Sequence, residues 1–259
     1  MLGALSHFKY SAAATALCLV CTAYPLTGAA AGPNCGQAPF TEPARIATLF
    51  SEMEPVFAAF PDLQELISDT SLELCFGENM LEAHGYFEPK SNQIMIGDSL
   101  PSGLQQAILV HELRHVRQFA TGICPAPDLS MAENARAVFA MEADASATSL
   151  VVAWAMREAG YPQIWDALAA SPLQQDIAEV FASEMRATND IGLATSAAFQ
   201  AWFGDQTRVD AYYLAACSSY LDREDNTHQL RGYAQLDPVF FDTLCQLPNG
   251  GSYACADPR

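Results

Sequence analysis

The stretch Ile108-Leu109-Val110-His111-Glu112-Leu113-Arg114-His115-Val116-Arg117-Gln118-Phe119 limits what this chain can fold into more than any other. It sets two histidines four residues apart, with a glutamate directly after the first. On an α-helix, residues i and i+4 lie about 40° apart around the axis and one turn apart along it, so both imidazoles can point at one ion. Glu112 sits on the shoulder of that face. Its carboxylate can reach a metal-activated water without being a ligand, an arrangement suited to metal-assisted hydrolysis. Ala107, Ile108, Leu109, Val110, Leu113, Val116 and Phe119 are apolar, which predicts a largely buried helix. Buried neutral histidines beside a carboxylate need partners for their ring nitrogens, and a zinc ion supplies them. A pair that merely shared a helix surface would need neither the apolar flanks nor the glutamate. The chain has five histidines, His7, His84, His111, His115 and His228, and two of them fall here. Ser102-x-x-Gln105 reads as a capping box at the start of the helix, and Gly122 as its left-handed stop.

At 259 residues the chain is long enough for a substantial core, and 51% hydrophobic with 16% charged residues fits a globular protein. Twelve Lys and Arg against 30 Asp and Glu give a net charge of −18. Such a body repels phosphate backbones and anionic lipid surfaces, so nucleic acid is excluded as a partner, while cationic peptides would be attracted. The acidic residues are spread along the chain, so the charge serves solubility first.

Residues 1 to 31 read as a secretory signal peptide. His7 and Lys9 give a weakly basic start, Ser11 to Leu26 an apolar core, and Ala29-Ala30-Ala31 a small-residue cleavage site before Gly32. The run is short for a membrane span and is broken by Thr22 and Pro25, so no stable anchor is expected after cleavage. The mature protein would be secreted or periplasmic. Cleavage removes Cys18 and Cys21 and leaves Cys35, Cys75, Cys124, Cys217, Cys245 and Cys255. An even set of cysteines in an oxidising compartment predicts three disulfides of undetermined pairing.

Residues 32 to 259 read as a single, mainly helical α+β domain with a small antiparallel sheet and a helical C-terminal half. Thr41 to Ser68 is helical in pattern, punctuated by Pro55 and Pro61. Ser71 to Phe76 reads as a strand, and Gly85-Tyr86-Phe87-Glu88 with Gln93-Ile94-Met95-Ile96 as a hairpin turning at Pro89 to Asn92. That hairpin could line a cleft and pair with an extended peptide. After the motif helix, Ser130-x-x-Glu133 predicts a second capping box opening a long helix from Met131 to Ala159, stopped by Gly160 and Pro162. Further helical patterns cover Leu173 to Ala187, Leu193 to Phe203 and Gln206 to Leu221.

Catalytic zinc takes three protein ligands and keeps a position open, so a third donor is needed. The long helix offers Met141-Glu142-Ala143-Asp144-Ala145, two carboxylates among small side chains. Positions 142 and 144 point about 200° apart on a helix, so only one can face the ion, and periodicity alone does not choose.

His111-Glu112-Leu113-Arg114-His115 with Gln118 three residues on, then Glu142-Ala143-Asp144-Ala145, preceded by the Gly85 to Ile96 hairpin, resembles the bacterial zinc metallopeptidases of the gluzincin type. Many members of such families have no assigned substrate. The likeness covers roughly residues 70 to 150 and implies a zincin-like fold, zinc held by His111, His115 and a glutamate, and Glu112 as general base. It favours Glu142 over Asp144 as third ligand, as does the longer reach of its side chain between packed helices. Asp144 would then pair with Arg114 or Arg117. In the gluzincins an aspartate often follows the ligand glutamate by four residues, whereas here that position is Ser146. His228, Tyr212, Tyr213 and Tyr233 are of the right type to stabilise an oxyanion. The function expected is zinc-dependent hydrolysis of peptide bonds. The rivals are a non-catalytic secreted zinc-containing binding protein and a zinc amidase acting on cell-wall material.

Overall fold

The structure, a computed structural model, describes residues 34–69, 71–78, 84–228 and 230–255. The expected signal peptide lies outside the described residues.

The chain opens with strand β1 (Cys35–Gln37), helices α1 (Ala44–Ala59) and α2 (Pro61–Ile67), and strand β2 (Glu73–Gly77). Helix α1 runs through Pro55 and stops only before Pro61, which occupies the first turn of α2 where its missing N–H is not needed. The hairpin forms as expected, as β3 (Gly85–Glu88) and β4 (Gln93–Gly97). The sheet is mixed rather than antiparallel. Its order is β1-β2-β4-β3, with β2 and β4 parallel, Glu73 opposite Gln93 and Gly77 opposite Gly97. After β2 the chain passes to the far edge, runs back as β3, and returns as β4 between them, which leaves β3 outermost.

Helix α3 (Ser102–Ala120) carries the motif between two layers, β3 and β4 on one side and α4 (Met131–Glu158) on the other. Its C-terminus closes as the sequence predicts. Gly122 has φ 77°, its N–H bonds the Phe119 carbonyl, and Ile123 N–H reaches back to Gln118 O at 2.7 Å. The predicted N-terminal capping box does not form. Pro101 holds the cap position, the Ser102 hydroxyl goes to Glu52 of α1, and Gln105 Nε2 goes to the carbonyls of Gly97 (3.1 Å) and Asp98 (3.2 Å). Those side chains staple α3 to α1 and to the end of β4 instead of to its own backbone.

Helix α4 is the axle of the helical half. The Ser130 side chain accepts from Glu133 N–H, half of the predicted box, while Glu133 itself turns to Arg136 (2.7 Å) and Leu236 N–H (2.9 Å). Ala137, Ala140, Ala143, Ala147 and Ala153 are buried along α4, and these small side chains let α3, α5 (Gln163–Ala170), α7 (Ile191–Trp202) and α8 (Gln206–Thr227) pack closely around it. By length and composition α4 could cross a membrane, but 78% of its most apolar stretch is buried inside the molecule, as in the core helix of a globular protein. Helices α6 (Gln175–Thr188) and α9 (Val239–Leu244) complete the layer. Two disulfides form, Cys35–Cys75 between β1 and β2 and Cys245–Cys255 near the C-terminus. The third expected bridge does not: Cys124 and Cys217 are not joined to each other.

Candidate metal centre

Across the α3–α4 interface three donors converge. His111 Nε2 lies 3.2 Å from His115 Nε2, and Glu142 places Oε2 3.4 Å from His111 Nε2 and Oε1 3.5 Å from His115 Nε2. Nitrogen and oxygen donors about 2.0–2.1 Å from a tetrahedral ion stand about 3.3–3.4 Å apart, so the two imidazole nitrogens are spaced like neighbouring corners of one coordination tetrahedron, with one carboxylate oxygen at a similar distance from each. Their side chains keep 18%, 12% and 14% exposure, which leaves the group largely buried but reachable. The imidazoles and the carboxylate stabilise one another's charged forms. Burial opposes charge on both groups, yet the Glu142 carboxylate raises His115 to about 9, helped by Glu112 and Gln118. Burial likewise opposes ionisation of Glu142, but His115 and His111 hold its carboxyl far below the usual carboxylate range. A metal ion could be held by these three residues.

Neighbouring hydrogen bonds fix which nitrogen of His115 is free. Gln118 Nε2 donates to Met141 O (3.0 Å) and to Asp144 Oδ2 (2.8 Å), and both of those atoms only accept. The Gln118 carbonyl must therefore face His115, 2.8 Å from Nδ1. Neutral His115 then carries its proton on Nδ1 and presents the Nε2 lone pair to the site. Asp144, fully buried, is held by Arg114 through Nε at 2.6 Å and Nη2 at 2.8 Å, and by the Tyr253 hydroxyl at 2.7 Å. Of the two arginines expected as its partner, Arg114 takes the role, and Arg117 goes to Asp62 of α2 at 2.9 Å.

Glu112 lies beside the triad. Its pKa is raised, chiefly by burial and also by Glu142, against the pull of His111, His115 and the Phe87 backbone N–H. The Phe87 N–H puts β3 beside the Glu112 side chain, and close approach of strand and helix depends on Gly85. A Cβ there would stand 2.3 Å from Ile108 Cγ2 and 3.6 Å from Glu112 Oε1. On the other side α8 brings in Tyr212, half-buried; the Glu142 carboxylate, burial and Glu112 raise its pKa well above the usual range.

The four oxyanion candidates thus separate. Tyr213 and Tyr233 are 46% and 85% exposed, His228 is the left-handed cap of α8, and Tyr212 is half-buried and close enough to Glu142 and Glu112 for both to shift its pKa. The sequence reading missed the work of Gln118, Phe87 and Tyr253. Gln118 was legible in principle, three residues after His115 on the same helix face. Nothing local marks Tyr253, which lies 109 positions from its partner Asp144.

Residues 29–255 match the profile of a family described as "Putative metallopeptidase family (DUF6782)". No curated protein and no solved structure matches the chain. The family implies a metal cofactor and peptide substrates, and the His111, His115 and Glu142 group has the donor chemistry for the metal.

Proposed function

The chain belongs to this metallopeptidase family, and from that premise we propose that it hydrolyses peptide bonds with one zinc ion held by Nε2 of His111, Nε2 of His115 and the Glu142 carboxylate. The observation that carries the reading is the spacing of those donors, 3.2 to 3.5 Å, with Glu112 next to them but not among them. Two imidazoles and a carboxylate suit zinc and leave a coordination position for solvent or substrate. Bound zinc would lower the pKa of a water towards neutrality and polarise the scissile carbonyl. Glu112 takes the proton of the attacking water and delivers it to the leaving amine, and its burial brings the carboxyl nearer the range where a base works at neutral pH. Tyr212, near Glu142 and Glu112, would supply the O–H donor that stabilises charge on the carbonyl oxygen. Strand β3, outermost in the sheet and with Phe87 beside Glu112, offers an edge along which an extended substrate can lie. The two disulfides suggest a location outside the reducing cytoplasm, and a cleaved leader over residues 1–31 would make the protein secreted or periplasmic.

The test is elemental analysis of the purified mature protein together with cleavage of a peptide library by the wild type and by Glu112→Gln. One zinc per chain in both, with cleavage by the wild type only, supports the reading. Zinc binding without any cleavage would favour the binding-protein alternative.

A further inference from the structure

We propose that the C-terminal loop closed by Cys245–Cys255 is part of what sets the metal site, with Tyr253 as a positioning residue that acts on His115 through Asp144 and Gln118. The inference rests on the reading of His111, His115 and Glu142 as the metal's donors. An ionised aspartate offers about four acceptor directions. Asp144 fills them with Arg114 Nε and Gln118 Nε2 on Oδ2, and Arg114 Nη2 and the Tyr253 hydroxyl on Oδ1. The carboxylate is thereby oriented from two sides, by the motif helix and by a loop more than a hundred residues away in sequence. Its orientation is passed on, because the Gln118 amide that donates to Oδ2 is the one whose oxygen accepts the hydrogen bond from His115 Nδ1–H.

The loop's own construction points the same way. Arg114 Nη2 also binds the carbonyls of Leu244 (2.8 Å) and Gln246 (2.9 Å), which flank Cys245. Cys255 follows Tyr253 by two residues, so the disulfide fixes both strands of the loop at the point where each meets the Arg114–Asp144 pair. Backbone bonds from Leu247 N–H to Gly251 O (2.9 Å) and from Tyr253 N–H to Cys245 O (3.1 Å) hold the rest. The Tyr253 ring packs against Phe199 of α7, 6.1 Å between centroids, so the phenol is aimed by packing as well as by the bridge. Among the described residues, removing its hydroxyl leaves Oδ1 with Arg114 Nη2 alone, a donor shared with two carbonyls.

The experiment is zinc affinity by competition with a chromophoric chelator, read on the full mature chain with far-UV circular dichroism of the metal-free forms alongside. Tyr253→Phe keeps the ring and loses the hydroxyl, and is expected to weaken zinc binding about tenfold, the lower end of what outer partners of a metal ligand contribute. Asp144→Asn should weaken it by about a hundredfold. The double variant should be no weaker than Asp144→Asn alone, because Tyr253 acts only through that carboxylate. Cys245→Ser combined with Cys255→Ser leaves the relay intact but frees the loop, and should also lose about tenfold; it carries the same test should Tyr253→Phe not fold. Unchanged affinity in the folded loop variants, or losses that multiply in the Tyr253 and Asp144 double variant, would overturn this inference alone. A wild-type chain that binds no zinc would overturn it together with the reading of the site.

Discussion

A carboxylate beside a metal site can be removed without emptying it, whereas one inside the site cannot, and the roles proposed for Glu112 and Glu142 divide on that line. Glu112→Gln preserves the shape and the Phe87 contact but cannot accept a proton, so turnover should fall by about 10²- to 10⁴-fold with zinc content unchanged. Loss of zinc in that variant would mean that Glu112 is itself a ligand. Glu142→Ala should lose the metal almost entirely, since its two oxygens face both imidazoles. Asp144→Ala should weaken affinity by only about 10- to 100-fold, acting through Gln118. Its larger cost falls on folding: Arg114 would be left buried without its counter-charge, a change that destabilises by about 3–5 kcal/mol. Chelator titration with a parallel urea melt separates the two, and an Asp144 variant that is empty of zinc yet fully stable would reverse the assignment. Tyr212→Phe completes the set, with zinc retained and kcat reduced if the hydroxyl serves the reaction; an unchanged kcat would leave it only the role of holding Glu142.

Among the elements, the contact between β3 and α3 brings the proposed substrate edge and the proposed general base together, and Gly85 approaches Ile108 closely there. Gly85→Ala puts a methyl group against Ile108 and the Met95 carbonyl, 2.9 Å away, so the strand must lift. Overpacking of this kind costs about 1–3 kcal/mol. Phe87 moves away from Glu112 with it, so kcat/KM should drop while zinc affinity holds; equal activity in a folded variant would show that β3 does not position the base. The motif helix, the β3–β4 hairpin and the start of α4 were all legible in the sequence, because periodicity, turn residues and the Ser130 cap act over a few neighbours. The misreadings share one cause. Ser102 and Gln105 have the right identities for a capping box, but Glu52 and the β4 carbonyls compete for them and lie in other elements. The parallel pairing of β2 and β4 was hidden in the same way, since the strand between them in sequence goes to the sheet edge. Glu142 and Asp144 were equivalent by periodicity; the structure turns one to the imidazoles and the other to Arg114 and Gln118.

For the molecule as a whole, the two disulfides close loops of different length at places with different jobs, so stability and metal binding should come apart when each is removed. Cys35–Cys75 spans 40 residues and joins the edge strand β1 to β2 in direct register. On the chain-entropy account a loop of that length is worth about 4 kcal/mol, against about 3 kcal/mol for the 10 residues spanned by Cys245–Cys255. Yet the longer loop is anchored in the sheet, and the shorter one ends beside the Arg114–Asp144 pair. Replacing Cys35 and Cys75 with serine should therefore lower the unfolding midpoint more and leave zinc affinity as it was. Replacing Cys245 and Cys255 should lower the midpoint less and weaken zinc. Mass spectrometry of the unreduced protein should find these two pairings, and a Cys124–Cys217 peptide would contradict the arrangement. If instead both serine pairs changed stability and zinc affinity in proportion, the metal site would be responding to global loosening, and neither loop would have a private line to it.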